Sequence, residues 1–189
     1  MDDRAIEAMH KLVEGNAEYM AAARNPADIS LGKREETARL GQKPFAVVVT
    51  CADSRVAPEH IFSAGIGELF VVRTAGNVIS DFDIGSVEYA VRTFETPLLA
   101  VMGHSRCGAV AAALSGGAEG YVGRVITEVK SGIGDAMTEH AATYNNVLHS
   151  GRRLLQSDVI NGLRTSEKLH VICSIYDIVT GYVDFFDLK

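Results

Sequence analysis

The sequence predicts an α/β fold with a mainly parallel central sheet flanked by helices and preceded by an N-terminal helical arm. Three observations predict it. Short apolar, β-branched runs recur along the chain (PFAVVVTC, ELFVVR, PLLAVMG, LHVICSIYDI), each of strand length. Segments with helical spacing separate them, and strand–helix alternation of this kind builds parallel sheets. The chain is 189 residues long with 47% hydrophobic and 22% charged residues, enough for one ordinary domain and neither disordered nor fibrous.

Residues 3–22 carry Ile6, Met9, Leu12, Val13 and Tyr19 near helical spacing, which predicts an amphipathic helix stopped by Asn25-Pro26. The polar stretch 25–42 predicts a loop around a short helix at 32–40. At Pro44 the texture changes, and PFAVVVTC (44–51) reads as a strand buried on both faces. PEHIFSAG (58–65) predicts a short helix with Pro58 in its first turn, and ELFVVR (68–73) a second strand. Over 81–94 a helix is expected, with Asp81 as N-cap and Ile84, Val87, Ala90, Val91 and Phe94 on one face. PLLAVMG (97–103) is the third strand, and 107–114 a small-residue helix ended by Gly116-Gly117. Helices are predicted over 121–149 and 151–165, a fourth strand over 169–178, and a last strand, YVDFF, after the Thr180-Gly181 turn. Residues 1–43 thus form an N-terminal helix and arm and 44–189 the α/β body that carries the chemistry, as one structural domain overall.

Composition excludes several function classes. There are 18 Lys plus Arg against 24 Asp plus Glu, for a net charge of −6, and the basic residues are scattered. A nucleic-acid binder would carry a basic footprint instead. No apolar run approaches the roughly 18–20 residues of a membrane helix. The opening MDDRAIEAMH is acidic where a secretory signal is basic, so a cytoplasmic protein is expected. Three cysteines in that setting predict free thiols, a metal site or a nucleophile rather than disulfides.

In parallel sheets chemistry gathers at the carboxyl ends of strands. Cys51 ends the first strand, His104 lies just past the third, and Cys107 enters the next helix. They offer an S, N, S donor set that suits tetrahedral zinc, with a fourth position open to water or substrate. The bland reading of the same residues is two small buried thiols and a histidine capping a helix. Asp53 and Arg55, at i and i+2 beyond Cys51, can form a bidentate ion pair. That pair either fixes the loop or, beside zinc, keeps the carboxylate ionised and aimed at a water molecule.

PFAVVVTCADSRV, ELFVVRTAGN, GSVEYAV and MGHSRCGAV, in this order and spacing, resemble the β-class carbonic anhydrases from about Gln42 to Gly108, and YDIVTGYVDFFDL is compatible with them. The resemblance implies one zinc ion per chain on Cys51, His104 and Cys107, and a catalytic dyad of Asp53 and Arg55. It implies substrate contacts from Gln42, Phe70 and Tyr89, and a small-anion contact from the Gly108 backbone N–H. It implies assembly of those contacts across a homodimer or a higher even oligomer, while the acidic charge balance and short apolar runs predict no nucleic-acid or membrane partner. One branch of the class has a bicarbonate pocket that needs a Trp where this chain has Val48; the chain contains no Trp, so that pocket is not expected. Whether Asp53 can swing onto the zinc and close the site is left open by an Asp–Arg pair.

The implied reaction is the reversible hydration of carbon dioxide to bicarbonate and a proton by hydroxide generated on zinc. Two thiolate ligands cancel the charge of the metal, so activity is expected to rise toward alkaline pH. Tyr89, His60 and buffer are the candidate proton carriers. His10, His140, His149, His170 and Cys173 are read as structural, and Arg73, Gly76 and Asn77 as shaping a loop beside the site. The alternatives are a zinc hydrolase of COS or CS2 on the same scaffold, a metal-free enzyme with Cys107 as nucleophile and His104 as base, and a non-catalytic zinc or redox sensor.

Overall fold

The apolar runs form strands and the segments between them helices. The computed structural model describes residues 1–21 and 24–188. Helices α1 (Asp3–Ala21) and α2 (Leu31–Leu40) precede β1 (Ala46–Cys51), α3 (Pro58–Ile61) and β2 (Leu69–Thr74). A single 3-10 turn at Ala75–Asn77 leads to α4 (Asp81–Thr93), β3 (Leu98–His104) and α5 (Gly108–Ser115). Then come α6 (Gly120–Ile133), α7 (Glu139–Leu154), α8 (Asp158–Thr165), β4 (His170–Tyr176) and β5 (Val183–Asp187). Among the described residues no helix is long and apolar enough to cross a membrane.

The strands make one five-stranded sheet in the order β2-β1-β3-β4-β5. The first four are parallel, and β5 returns antiparallel on β4. Every residue of β1 and β3 is buried, because helices cover both faces of the central strands. Successive side chains alternate between two apolar layers. Val47, Val49, Leu99 and Val101 pack toward α4, α7 and α8, while Ala46, Val48, Ala100 and Met102 pack toward α1 and α3.

Four expectations need correction. The buried face of α1 is Ala5, Ala8, Leu12, Gly15 and Asn16; Ile6 and Val13 point outward. The hydrophobic pattern marks the bulkiest residues, but this helix docks by close approach, which only small residues permit. A Cβ at Gly15 would overlap the Phe62 carbonyl oxygen. Gly15→Ala is therefore expected to destabilise the fold by about 1–3 kcal/mol, the range for overpacking, read as a lower midpoint in thermal or urea unfolding. Residue 22, the last of the expected helix, lies outside the described residues.

Secondly, the predicted break near residue 150 is absent. α7 runs through Gly151, where a Cβ would sit 2.8 Å from Leu188, and ends at Leu154, with Ser157 capping α8; a further break lies between α6 and α7, where Gly134 has φ 57 and Thr138 caps the new helix. Gly151 is a packing glycine rather than a stop. Thirdly, Ser80 and not Asp81 caps α4, in a capping box with Asp83. The helix expected over 58–65 ends at Ile61.

Candidate metal centre

The sheet order places a crevice at the ends of β1 and β3. From β1 the chain steps outward to β2, then crosses back to lay β3 on the other side of β1, so the connections leave in opposite directions. Cys51 is the last residue of β1 and His104 the last of β3. The buried Thr50 hydroxyl ties these ends together by donating to the Met102 carbonyl at 2.7 Å. Beyond His104 the chain turns through Arg106, at φ 57, and Cys107 becomes the N-cap of α5. The three donor atoms of Cys51, His104 and Cys107 lie within 4.8 Å of one another, and all three residues are buried.

The chemistry of the trio fits a metal ion. His104 Nδ1 lies 2.9 Å from the Ser105 carbonyl oxygen, which can only accept, so Nδ1 carries the proton and Nε2 presents its lone pair. That Nε2 is buried and has no hydrogen-bond partner among the described residues. An orphaned buried polar atom costs about 1–3 kcal/mol, and a cation would take up the lone pair. The Cys107 thiol, donating to Cys51, is the chief reason Cys51 is held well below the usual thiol range; the backbone N–H groups of Asp53 and Gly76 act in the same direction. The two N–H groups reach the Cys51 sulfur at 3.4 and 3.3 Å. The same contact, together with burial, pushes Cys107 up. One thiolate faces one thiol, and a divalent cation is the ligand that lets both ionise. Val110, Ala113, Ile126, Val129, Ile133 and Ala142 close an apolar roof over the sulfurs.

Asp53 stands beside the trio with both carboxylate oxygens committed to Arg55. Arg55 Nε and backbone N–H donate to Oδ1, each at 2.9 Å, and Nη2 donates to Oδ2 at 2.7 Å. This pairing holds the Asp53 carboxyl well below the usual carboxylate range. Arg55 also reaches the Arg106 carbonyl at 3.1 Å, which links the Cys51 loop to the His104–Cys107 turn. Arg73 holds the base of that loop, donating to the carbonyls of Cys51 at 3.2 Å and Asp53 at 2.7 Å.

Residues 46–183 match the family model described as carbonic anhydrase. The chain belongs to the carbonic anhydrase family. Its fold is that of the β class. The structure of the β-carbonic anhydrase CcaA aligns with a TM-score of 0.73 at 26% identity, over 96% of this chain and 88% of that one. The β-carbonic anhydrase CafA of Aspergillus fumigatus aligns with a TM-score of 0.73 at 25% identity, over 99% and 92%. Carbonic anhydrase 2 of Mycobacterium tuberculosis is 49% identical over 110 residues, covering 58% of this chain and 53% of that protein. The chain spans about half the length of the curated relatives it matches.

Within one chain of this carbonic anhydrase family member, the other expected site residues divide into two groups. Gly108 opens α5 directly beside Cys107. Gln42, Phe70 and Tyr89 are elsewhere. Phe70 pairs with Val47 near the start of β1, whereas Cys51 pairs with Thr74 at its end, a separation of roughly 13 Å at 3.3 Å per residue. Gln42 lies further still from the metal end, preceding a segment that runs beside Gly67 and Glu68. Phe70, Tyr89 and Phe94 form an aromatic cluster with centroids 5.5–6.3 Å apart. β2 is an outer strand, so this cluster sits at a free edge of the sheet.

The remaining polar residues named from the sequence have the following surroundings. His60 is engaged with Asn25, whose amide lies 3.0 Å from His60 Nδ1. Cys173 is fully buried in the core, and burial pushes its thiol up to about 12. His140, read as structural, lines a cavity of about 260 Å³ with Ser105, Arg106 and Thr143 next to the donor turn. The sequence reading missed Asn146 and Ser150, buried polar residues of α7 that hold the Gly76–Asn77 turn. The available signal was Thr143, Asn146 and Ser150 at i, i+3 and i+7, on a helix face that also carries Ala142, Val147 and Leu154.

Proposed function

We propose that this protein catalyses the reversible hydration of carbon dioxide to bicarbonate and a proton, with one zinc ion per chain held by Cys51, His104 and Cys107. The observation that carries the reading is the buried S, N, S trio with an orphaned imidazole nitrogen, in a chain of the carbonic anhydrase family. Zinc on three protein ligands supplies Lewis acidity that lowers the pKa of a water molecule toward neutrality. Asp53, its carboxylate held ionised and oriented by Arg55, would accept a hydrogen bond from a water molecule at this centre and orient it toward the carbon of CO2. The Gly108 N–H, at the start of α5, favours a small anion such as bicarbonate. Arg55, bridging to the Arg106 carbonyl, keeps the two donor loops in register.

The substrate slot comes from a second copy of the chain. Gln42, Phe70 and Tyr89 lie at the far end of the sheet from their own metal trio, by the strand β2 that borders the sheet among the described residues, and Phe82 and Tyr89 on neighbouring α4 are 90% and 54% exposed. A homodimer, or a higher even oligomer, would lay this aromatic edge against the partner's metal centre. Phe70 and Tyr89 would then wall an apolar slot for CO2 and Gln42 would donate to one of its oxygens. Residues 44–189 form the catalytic body, and the absence of Trp speaks against the Trp-dependent bicarbonate pocket. Family membership supports CO2 over COS or CS2 as substrate.

The test is stopped-flow CO2 hydration on protein of measured zinc content, as wild type and Asp53→Ala, from pH 6 to 9. The expected result is one zinc per chain, fast turnover rising with pH, and a loss of about 10- to 100-fold in the variant. The rise follows from the two thiolates, which leave the metal a weaker acid. Asp53, held low, contributes no step to the profile. Zinc-loaded protein without turnover would overturn the reading, and a flat profile would remove the account of thiolate charge.

A further inference from the structure

Helix α7 presents three buried polar residues, Thr143, Asn146 and Ser150, on a face that otherwise sends Ala142, Val147 and Leu154 into the core. Buried polar groups cost free energy unless they are bonded, and two of these three have their partners in one place. Asn146 Nδ2 donates to the Gly76 carbonyl at 2.8 Å. The Ser150 hydroxyl donates to the Asn77 carbonyl at 2.7 Å and accepts from Asn77 Nδ2 at 3.1 Å. Gly76 and Asn77 are consecutive residues at φ 65 and φ 48. A left-handed pair that includes a non-glycine residue persists only where its surroundings impose it. Gly76 is further confined by Ala109 and Val129, each 2.9 Å from where a Cβ would stand. The result of this confinement is one contact: the Gly76 N–H points at the Cys51 sulfur, 3.3 Å away.

We propose that Asn146, supported by Ser150, is a positioning residue of the metal centre. It holds the turn so that the Gly76 N–H donates to the Cys51 thiolate, withdraws charge from that sulfur and sets how strongly it donates to the metal. The proposal rests on the reading of Cys51, His104 and Cys107 as zinc ligands. It also gives the 121–149 region, to which sequence assigned no function, a part in the centre: α7 reaches the metal through one turn of backbone.

The experiment compares full-length wild type, Asn146→Ala, Ser150→Ala and Asn16→Ala by three readouts: zinc affinity in chelator competition, the sulfur-to-metal charge-transfer absorption of the cobalt(II)-loaded protein, and amide exchange at Gly76. Asn16 is also buried and triply bonded, but to Ile61, Gly181 and Val183 beneath α1, so its variant loses stability without touching the turn. Asn146→Ala is expected to weaken zinc binding by about 10- to 100-fold, the usual reach of residues behind metal ligands. It should also shift the cobalt band and speed Gly76 exchange. Ser150→Ala should move all three readouts in the same direction by less, and Asn16→Ala should move none. Wild-type affinity and spectrum in Asn146→Ala would overturn the proposal, as would equal changes in Asn16→Ala. If Asn146→Ala does not fold, Ser150→Ala, which removes a single hydroxyl, decides by the same criteria. A wild-type protein that binds neither zinc nor cobalt would instead overturn the metal reading on which the proposal rests.

Discussion

His104→Ala and Cys107→Ser are each expected to abolish stoichiometric zinc and to lower CO2 hydration by on the order of 10³-fold or more, because the shift of a water's pKa from about 15.7 toward 7 disappears with the metal. Their donor atoms lie within 4.8 Å of each other and of the Cys51 sulfur at the end of β1, so neither can be replaced by a neighbour. Cys173→Ala is the matched control. It removes a third buried cysteine, which lies on β4 in the core layer beneath α7 and outside the donor trio, and should leave zinc content and turnover unchanged. Metal analysis and stopped-flow rates on the three variants check this, with circular dichroism to verify folding. Wild-type zinc content in His104→Ala would remove the histidine from the ligand set. Turnover that survived complete loss of zinc would return Cys107 to candidacy as a nucleophile.

Mixing two inactive variants is expected to restore activity. If the aromatic edge of one chain serves the metal trio of another, a Cys107→Ser chain still supplies an intact slot, and a Phe70→Ala chain still supplies an intact trio. Their heterodimer contains one site with both lesions and one with neither. Unfolded and refolded together in equal amounts, they should recover about a quarter of wild-type turnover by random pairing in a two-fold dimer. Each variant alone stays near background. The arrangement within one chain makes the opposite prediction, since every site would then carry one lesion and no mixture would recover. The register decides which to expect: Phe70 sits opposite Val47 and Cys51 opposite Thr74, so a single chain cannot bring ring and metal together without breaking the β1–β2 ladder.

Several features were legible in the sequence because they depend on residues close together in the chain. Continuous β-branched runs can hardly be anything but buried strands, and their alternation with helical spacing leads to a parallel sheet. Asp53 and Arg55 are two residues apart, so their pairing follows from one tight turn. Cys51, His104 and Cys107, though far apart in the chain, could be named as candidates because strand ends are where such a sheet puts its chemistry and because the motifs around them resemble a known family. The long-range features were different. The buried face of α1 depends on how near Gly15 comes to the Phe62 backbone, and close approach rewards small residues that a hydrophobic pattern ignores. Gly134 and Gly151 look alike as helix breakers, yet one bends the chain at φ 57 and the other makes room for Leu188.

By itself the sequence determined the fold class and the Asp53–Arg55 ion pair, which rest on residue type and local spacing, and it named Cys51, His104 and Cys107 as candidate donors through strand-end position and family resemblance. The dimer-assembled contacts that the resemblance implied already set Gln42, Phe70 and Tyr89 apart from their own donor trio, and the tertiary structure gave the register that separates Phe70 from Cys51. It alone decided that Asn146 and Ser150, some seventy residues along the chain from the turn they hold, stand behind the Cys51 sulfur. The physical reason is that hydrogen bonds and packing act over a few ångströms in space, whatever the distance along the chain, and no local pattern encodes which distant groups will meet.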